Sequence, residues 1–405
     1  MEHNIEYTAA RELLLTHVRP MDTERVPLVE AGGRVLAQRV TAGRDVPPFD
    51  RSPYDGYAFR AADTAGAAKD HPVTLRVLEE IPAGSMWTRT VTPGTAVKIL
   101  TGAPIPPGAD AVTKYEDTEF SDDTVTISAA FNAEENVVLR GEDVHVGDVL
   151  AEVGTVIDAA LLGTLAAQNI SKPLVYRRPR VGVITSGSEL AEPGEELTGG
   201  KIVNTNRYAF TDAVRHAGCE PVFYGAPEDD PAVIAALIDT ALSECDMVIT
   251  TGGVSVGDYD FTPDAMERAG AKILIRTLHL KPGGASAYAV RDGKLVCGLS
   301  GNPASAMTNF YAVVLPALRK LRGLREPRLT ELTVALAAEF GKKSPKTRLI
   351  RGRLRFADGT AVMDVSRAQG NGVLHSLSGC DLLAEIPAGS GKLPAGTRLT
   401  AYLIP

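Results

Sequence analysis

The sequence predicts an α/β plus β multidomain protein: a central doubly wound α/β domain, a small β-rich domain, a discontinuous N-terminal domain and a C-terminal β-barrel. Three observations predict it. Between residues 178 and 326, short apolar strands alternate with helical patterns, as in βαβ units around a parallel sheet. Residues 46–146 and 327–405 carry short alternating strands instead, separated in the first of these stretches by Pro-Gly turns such as "IPAGS" and "VTPGT". With 405 residues the chain also exceeds what one hydrophobic core organises.

Taken in chain order, Thr8 to Val18 reads as an amphipathic helix, with no basic segment leading into an apolar run, so no targeting peptide is expected and the cytoplasm is the expected compartment. That helix needs a partner, and Ala159 to Ala167 offers one. Residues 1–45 and 147–177 therefore read as one discontinuous domain, interrupted by the β-rich stretch 46–146 with strands in "VTLRVLEEI" and "DTVTISAAF". In the central domain, 178–326, "RVGVITSG" is a buried strand, and "NTNRYAFTDAVRHAG" is a helix with Phe210, Ala213, Val214 and Ala217 at helical spacing. "PVFYG" is a strand. A helix from Pro231 places Val233, Ile234, Leu237, Ile238 and Ala241 on one face, and "DMVITTGG" is the next strand. A helix near 262–269, a strand in "KILIRTLHL", a hairpin turning at Asp292-Gly293 and a long helix from Pro303 to Leu321 complete it. The C-terminal 327–405 offers strands in "RLTELTVALAAEF", "TRLIRGRLRF", "TAVMDVS" and "TRLTAYLIP".

Composition removes several function classes. With 44% hydrophobic and 23% charged residues the chain has the profile of a soluble globular protein, and no apolar run approaches the roughly 18 residues of a membrane span. A net charge of −8 argues against a general nucleic-acid surface. Cys219, Cys245, Cys297 and Cys380 are scattered, and the seven histidines form no HExxH pattern, so neither zinc chemistry nor a disulfide framework is expected.

In open α/β sheets, ligands sit beyond the carboxyl ends of the strands, where "TSGSEL", "TTGGVSVGDYD" and "LSGNPASA" fall. Glycines at such a turn can take positive φ and aim consecutive N–H groups at an anion, and the following aspartates suit a hard cation. That combination points to a phosphate with magnesium, although an ordinary strand-to-helix turn uses the same residue types. Two further loops carry chemistry: "PPFDRSPYDGYAFR" presents Asp55, and "KILTGAPIPPGADAV" presents Thr101, whose hydroxyl can donate to a phosphate oxygen. Both Asp-Gly and Thr-Gly also serve simply as turns.

Together "SPYDGYA", "LTGAPIPPGADAV", "RGEDVHVGDVL", "VGVITSGSEL", "IVNTNRY", "TTGGVSVGDYD", "KPGG" and "GLSGNPASA", in this order, resemble the MoeA family, which includes the E domain of gephyrin. The resemblance implies an enzyme that takes adenylylated molybdopterin and molybdate, releases AMP and leaves molybdenum on the dithiolene. It makes the α/β domain molybdopterin-binding. It also implies a homodimer, joined by the discontinuous N-terminal domain, with the site between the α/β domain of one subunit and the small β domain of the other. On it, Glu189, Asp229 and Asp260 would hold Mg²⁺, and the amides of Gly252 and Gly253 with the Ser255 hydroxyl would face the anion. Lys281 would offer a point charge. Asn302, Pro303 and Ser305 at a helix start, with Arg351 and Asn371, would complete the cofactor site, and Asp55 and Thr101 would join Asp260 and Lys281 in catalysis. A molybdopterin adenylyltransferase and molybdoenzyme maturation factors would be its partners, with no nucleic acid and no membrane. Four positions depart from the family pattern: Gly284 stands where a lysine is frequent, Asn371 where serine is, Tyr54 where methionine or leucine is, and Ser300 where proline is. Since Gly284 supplies no charge, an altered preference between molybdate and tungstate follows as an expectation. The alternatives are a molybdopterin adenylyltransferase, which shares the central module, and a non-catalytic gephyrin-like scaffold.

Overall fold

The computed structural model describes residues 1–82, 84–85, 87–254 and 261–405. Its contacts divide the chain into two compact units: Met1–Gln38, Val153–Asp158 and Lys172–Pro405 form one, and Arg39–Glu152 with Ala159–Ser171 the other.

The first unit is built on a sheet of seven strands: β1 (Glu2–Ile5), β2 (Arg180–Thr185), β3 (Glu220–Gly225), β4 (Met247–Thr251), β5 (Lys272–Leu278), β6 (Ser286–Arg291) and β7 (Lys294–Leu299), in the order β1-β5-β6-β7-β4-β2-β3. Of these, only β6 runs against its neighbours. Strands covered on both faces read as unbroken apolar runs, and successive residues serve opposite cores. Met247 and Ile249 thus join Leu295 and Cys297 under Phe210 and Val214 of α2 (Thr205–His216), after α1 (Tyr7–His17) in the chain. Val248 and Val296 face the other way, toward Ile234 and Ile238 of α3 (Pro231–Glu244) and Met266 of α4 (Phe261–Arg268). This is the doubly wound arrangement.

Local chemistry sets the element ends. Asp230 caps α3 by accepting the Ala232 N–H at 2.7 Å, with Pro231 just inside, and Asn204 caps α2 by accepting the Arg207 N–H at 3.1 Å. Asp292 and Gly293 take φ of 52° and 76°, as the two-residue hairpin turn requires. The long helix runs as α5 (Pro303–Asn309), a π turn (Phe310–Val314) and α6 (Leu315–Leu321). Its wide turn lies just before Pro316, which has no N–H to give and whose ring crowds an ordinary helical turn.

Two features correct the sequence reading. The N-terminal helix does not take its partner from residues 159–167. Tyr7, Ala10, Leu14 and Val18 bury instead in the α/β core with Phe310, Val314 and Leu318, whereas the helix Ala159–Ala167 belongs to the other compact unit, where it is apolar along its length yet buries only Leu165. Before that helix, residues 2–5 add an unexpected edge strand, parallel to β5. Three of its four residues are exposed, so no apolar pattern marks it.

In the C-terminal barrel the strand Thr347–Ala357 pairs with both Thr360–Val365 and Leu382–Ile386, closing five strands around Val334, Ile350, Met363, Leu382 and Leu399. The strand Leu382–Ile386 was not among those expected.

The second unit holds a six-stranded sheet in which Gly56–Phe59 lies between Ala111–Lys114 and Thr95–Ile99. Gly56 is obligatory there, because a Cβ would fall 1.8 Å from the Thr113 carbonyl oxygen. Tyr57 and Phe59 face a core with Leu75 and Val125, and Ala58 faces one with Ile81, Val97 and Val112.

Candidate active site

Three loops follow β2, β4 and β7 and line a cleft of about 830 Å³, large enough for a cofactor-sized ligand. Nine of the expected residues reach it: Glu189, Asp229, Gly252, Gly253, Lys281, Asn302, Pro303, Ser305 and Asn371. Ser255 and Asp260 lie outside the described residues. Asp55 and Thr101 belong to the second unit, and Arg351 does not line the cleft.

The turn after β4 has the conformation its glycines suggest, with φ of 103° at Gly252 and 60° at Gly253. A Cβ on Gly252 would lie 2.5 Å from the Ser186 carbonyl oxygen, so the β2 and β4 loops touch only because none is present. One expectation fails here. The Gly252 N–H donates to Leu299 O at 3.0 Å and cannot face an anion, whereas the Gly253 N–H donates to no described residue. On the far side Thr262 holds the turn, its hydroxyl donating to Gly252 O at 2.7 Å and its N–H to Gly253 O at 3.0 Å.

Glu189 and Asp229 form the acidic end. The Asp229 carboxyl is pushed above the usual aspartate range by partial desolvation and then by the charge of Glu189, against bonds from the Ser186 hydroxyl and the Ser188 N–H. Gly187 makes room for the second carboxylate, since a Cβ there would sit 2.7 Å from Glu189 Oε2. Among the described residues no three His, Cys, Asp or Glu side chains converge as a metal site, so the protein offers two carboxylates here rather than a closed cage.

The opposite end is cationic. Lys281 is exposed, pairs with no described residue, and shares the lining with Lys346, which the sequence reading did not single out. Glu189 and Asp229 follow β2 and β3, at one side of the sheet, while Lys281 follows β5 at the other. Strands stand about 4.8 Å apart, so the four steps from β2 to β5 separate the two ends by roughly 19 Å. Between them lie the glycine turn and the start of α5.

That start is partly engaged already. The Ser305 N–H donates to Asn371 O at 3.0 Å, which fixes the barrel loop carrying Asn371 at the cleft. Arg351 governs the same loop from inside. It is fully buried, donating from Nε to Ser376 Oγ at 2.8 Å and from Nη2 to Gly370 O at 3.1 Å, with Nη1 unpartnered among the described residues. Burial pulls its guanidinium pKa down. Gln369 was missed by sequence. Its amide accepts the Arg351 N–H at 3.0 Å and donates to Arg351 O at 2.9 Å, and nothing in a loop glutamine announces this. Asn206, also missed, donates to Gly301 O at 2.9 Å and joins the α2 and α5 loops; its only sequence signal was its place in "IVNTNRY".

In the second unit, Asp55 and Thr101 come together. The Thr101 N–H and hydroxyl both donate to Asp55 Oδ1 at 2.7 Å, so that hydroxyl is engaged rather than free for a phosphate. The two bonds, the backbone one foremost, hold the Asp55 carboxyl below its usual range.

Gly284 is more than a missing side chain. A Cβ there would lie 2.7 Å from Leu280 O and 3.0 Å from Leu278 O, so a lysine at this position requires the backbone to shift.

Comparison with known proteins agrees with this architecture. Residues 5–168 match the "MoeA N-terminal region (domain I and II)", 182–320 the "Probable molybdopterin binding domain" and 333–404 the "MoeA C-terminal region (domain IV)". A molybdopterin molybdenumtransferase of Staphylococcus epidermidis is 35% identical over 395 residues, covering 98% of this chain and 94% of that protein. One from Staphylococcus aureus is 35% identical over 378 residues, covering 93% and 90%. The crystal structure of the molybdopterin biosynthesis moeA protein from Pyrococcus horikoshii superposes with a TM-score of 0.81 at 33% identity, over 99% of this chain and 100% of that one. With three family models matched in order along its length and relatives at 35% identity over nearly all of it, the chain belongs to the MoeA family of molybdopterin molybdenumtransferases.

Proposed function

We propose that this chain transfers molybdate to adenylylated molybdopterin with release of AMP, a step of molybdenum cofactor biosynthesis, with Mg²⁺ at the acidic end of the cleft. The observation that carries the reading is the polarity of that cleft: two carboxylates at one end, two lysines at the other, and a glycine turn between. Such a layout suits a ligand whose phosphates sit with a divalent cation while a separate oxyanion meets fixed positive charge.

Glu189 and Asp229 fit the cation, because their mutual repulsion is relieved by one, and the pair leaves coordination positions for water and substrate phosphates. When bound, magnesium would supply charge neutralisation on the phosphoanhydride. The Gly253 amide orients an anionic oxygen at the turn, Lys281 draws the oxyanion, and Asn371 adds an amide at the mouth of the site. Asp55, kept ionised by Thr101, orients a water or a cation for anhydride cleavage. In this reading the chain acts in the cytoplasm as a homodimer, with Asp55 and Thr101 supplied by a second copy. A molybdopterin adenylyltransferase provides the substrate, and molybdoenzyme maturation factors receive the product.

Incubating the purified protein with adenylylated molybdopterin, Mg²⁺ and molybdate tests the reaction. AMP should appear only when the oxyanion is present; oxyanion-independent release, or ATP consumption with free molybdopterin, would overturn it. Mixing inactive Asp55→Ala with inactive Asp229→Asn protein tests the shared site, since subunit exchange should restore activity to one cleft of each mixed dimer.

A further inference from the structure

We propose that Lys346, held by the N-terminal strand, is the specificity-determining cation for the tetrahedral oxyanion, a role that rests on the molybdate transfer proposed above. Lys346 enters the cleft from the C-terminal barrel, one residue before the strand Thr347–Ala357. It is half-buried, and its Nζ donates to Asn4 Oδ1 at 3.1 Å and to Leu278 O at 3.4 Å. Both partners are neutral. An ammonium carries three donors, so one remains for a ligand, and among the described residues the charge has no carboxylate partner. A partly desolvated cation without a counter-charge is a site for an anion.

The backbone around it supports the same conclusion. Asn4 and Thr277 both line the cleft, with φ of 51° and 62°. The left-handed region is costly for a β-branched residue, and such conformations persist where the surroundings enforce them, often at ligand sites. Pairing of β1 with β5 joins Glu2 to Ile275, His3 to Arg276 and Ile5 to Leu278, and leaves Asn4 and Thr277 out of the ladder. They bond each other instead, Asn4 N–H to Thr277 Oγ1 at 3.2 Å. The next residue along the barrel strand is tied down too: Thr347 Oγ1 donates to Glu6 Oε2 at 2.9 Å, and that carboxylate also lies 2.6 Å from His279 Nδ1. β1 therefore serves as a clamp that aims Lys346.

The clamp stands beside Gly284. Leu278 O, which accepts from Lys346, is one of the two carbonyl oxygens that a Cβ at 284 would crowd, at 3.0 Å, so a loop closed to side chains at 284 receives a second positive charge, beside that of Lys281, from Lys346. The Leu278 N–H donates to Gly284 O at 2.9 Å, which locks the two segments together.

The test is AMP-release kinetics with molybdate varied at saturating adenylylated molybdopterin, in Lys346→Met, Lys346→Glu and Lys346→Arg. Loss of one charge-assisted bond should raise the molybdate KM about tenfold in the Met variant and further in the Glu variant, with Arg close to wild type. The KM for adenylylated molybdopterin should stay within about twofold, as its phosphates meet the other end. A second variant covers the case in which the Met protein loosens β1: Asn4→Asp retains a residue tolerant of left-handed backbone, sets a carboxylate on the ammonium, and should weaken molybdate binding without lowering the melting temperature. An unchanged molybdate KM, equal rises in both KM values, or equal effects of Met, Glu and Arg would overturn the proposal. Calorimetric titration with molybdate alone separates it from the proposed reaction: wild-type protein that binds molybdate through Lys346 yet shows no oxyanion-dependent AMP release would refute the reaction and leave the subsite standing.

Discussion

Asp55 and Asp229 are loop aspartates in opposite electrostatic circumstances. Asp55 accepts two bonds from one threonine on a single oxygen, and its carboxyl is held down; Asp229 is partly desolvated beside Glu189, and its carboxyl is pushed up. Donors satisfy the first charge within its own unit. The second has no partner of opposite sign among the described residues, and a cation would offset the pair. In the proposed reaction one would orient and the other bind, although both are Asp beside a turn.

The largest effect comes from detaching Asp55 from its strand. Gly56→Ala would place a methyl group 1.8 Å from Thr113 O, a backbone atom in a paired strand that cannot yield without breaking the sheet. A loss of about 3 kcal/mol or more is expected, read as a lowered midpoint in urea unfolding. A loss under about 1 kcal/mol would mean the sheet adjusts freely there, and the rigidity ascribed to the Asp55 loop would be wrong.

Asp229→Asn probes the other side. Removing one of two like charges should leave the metal-free protein at least as stable as wild type, while AMP release falls about 100-fold and needs more Mg²⁺. A fall in thermal stability alongside the loss of activity would make Asp229 a structural residue like Asp55, and the contrast between the two would disappear.

Most of the α/β domain was legible because its signals are local. Unbroken apolar strands, the Asp230-Pro231 helix start and the Asp292-Gly293 hairpin each act within a few residues, and the rule that ligands sit at carboxyl ends then led to the cleft. What stayed hidden depends on distant chain. The edge strand β1 pairs through its backbone and shows no periodicity, so neither Asn4 nor its partner Lys346 could be placed. Motif likeness named Arg351 but not its direction, inward to a barrel loop. The Gly252 N–H was assigned to an anion because nothing local reveals that Leu299 O already accepts it.

The smallest effect tests how Asp55 is held. Thr101→Val deletes the hydroxyl donor and keeps the N–H, which is the larger cause of the depressed carboxyl, so Asp55 should titrate above its wild-type value but still below the ordinary value of about 3.9. The sign for stability follows from linkage: a carboxyl depressed in the folded state contributes above its unfolded pKa, and that contribution disappears as pH falls through the folded one. Wild type should therefore melt slightly above the variant near neutral pH, with the gap closing in the acid range below about 3.9. Carboxyl-detected NMR follows the titration and a series of melts follows the gap. If the gap were the same at neutral and acid pH, the hydroxyl would act by packing, and the ionised state of Asp55 would owe it nothing.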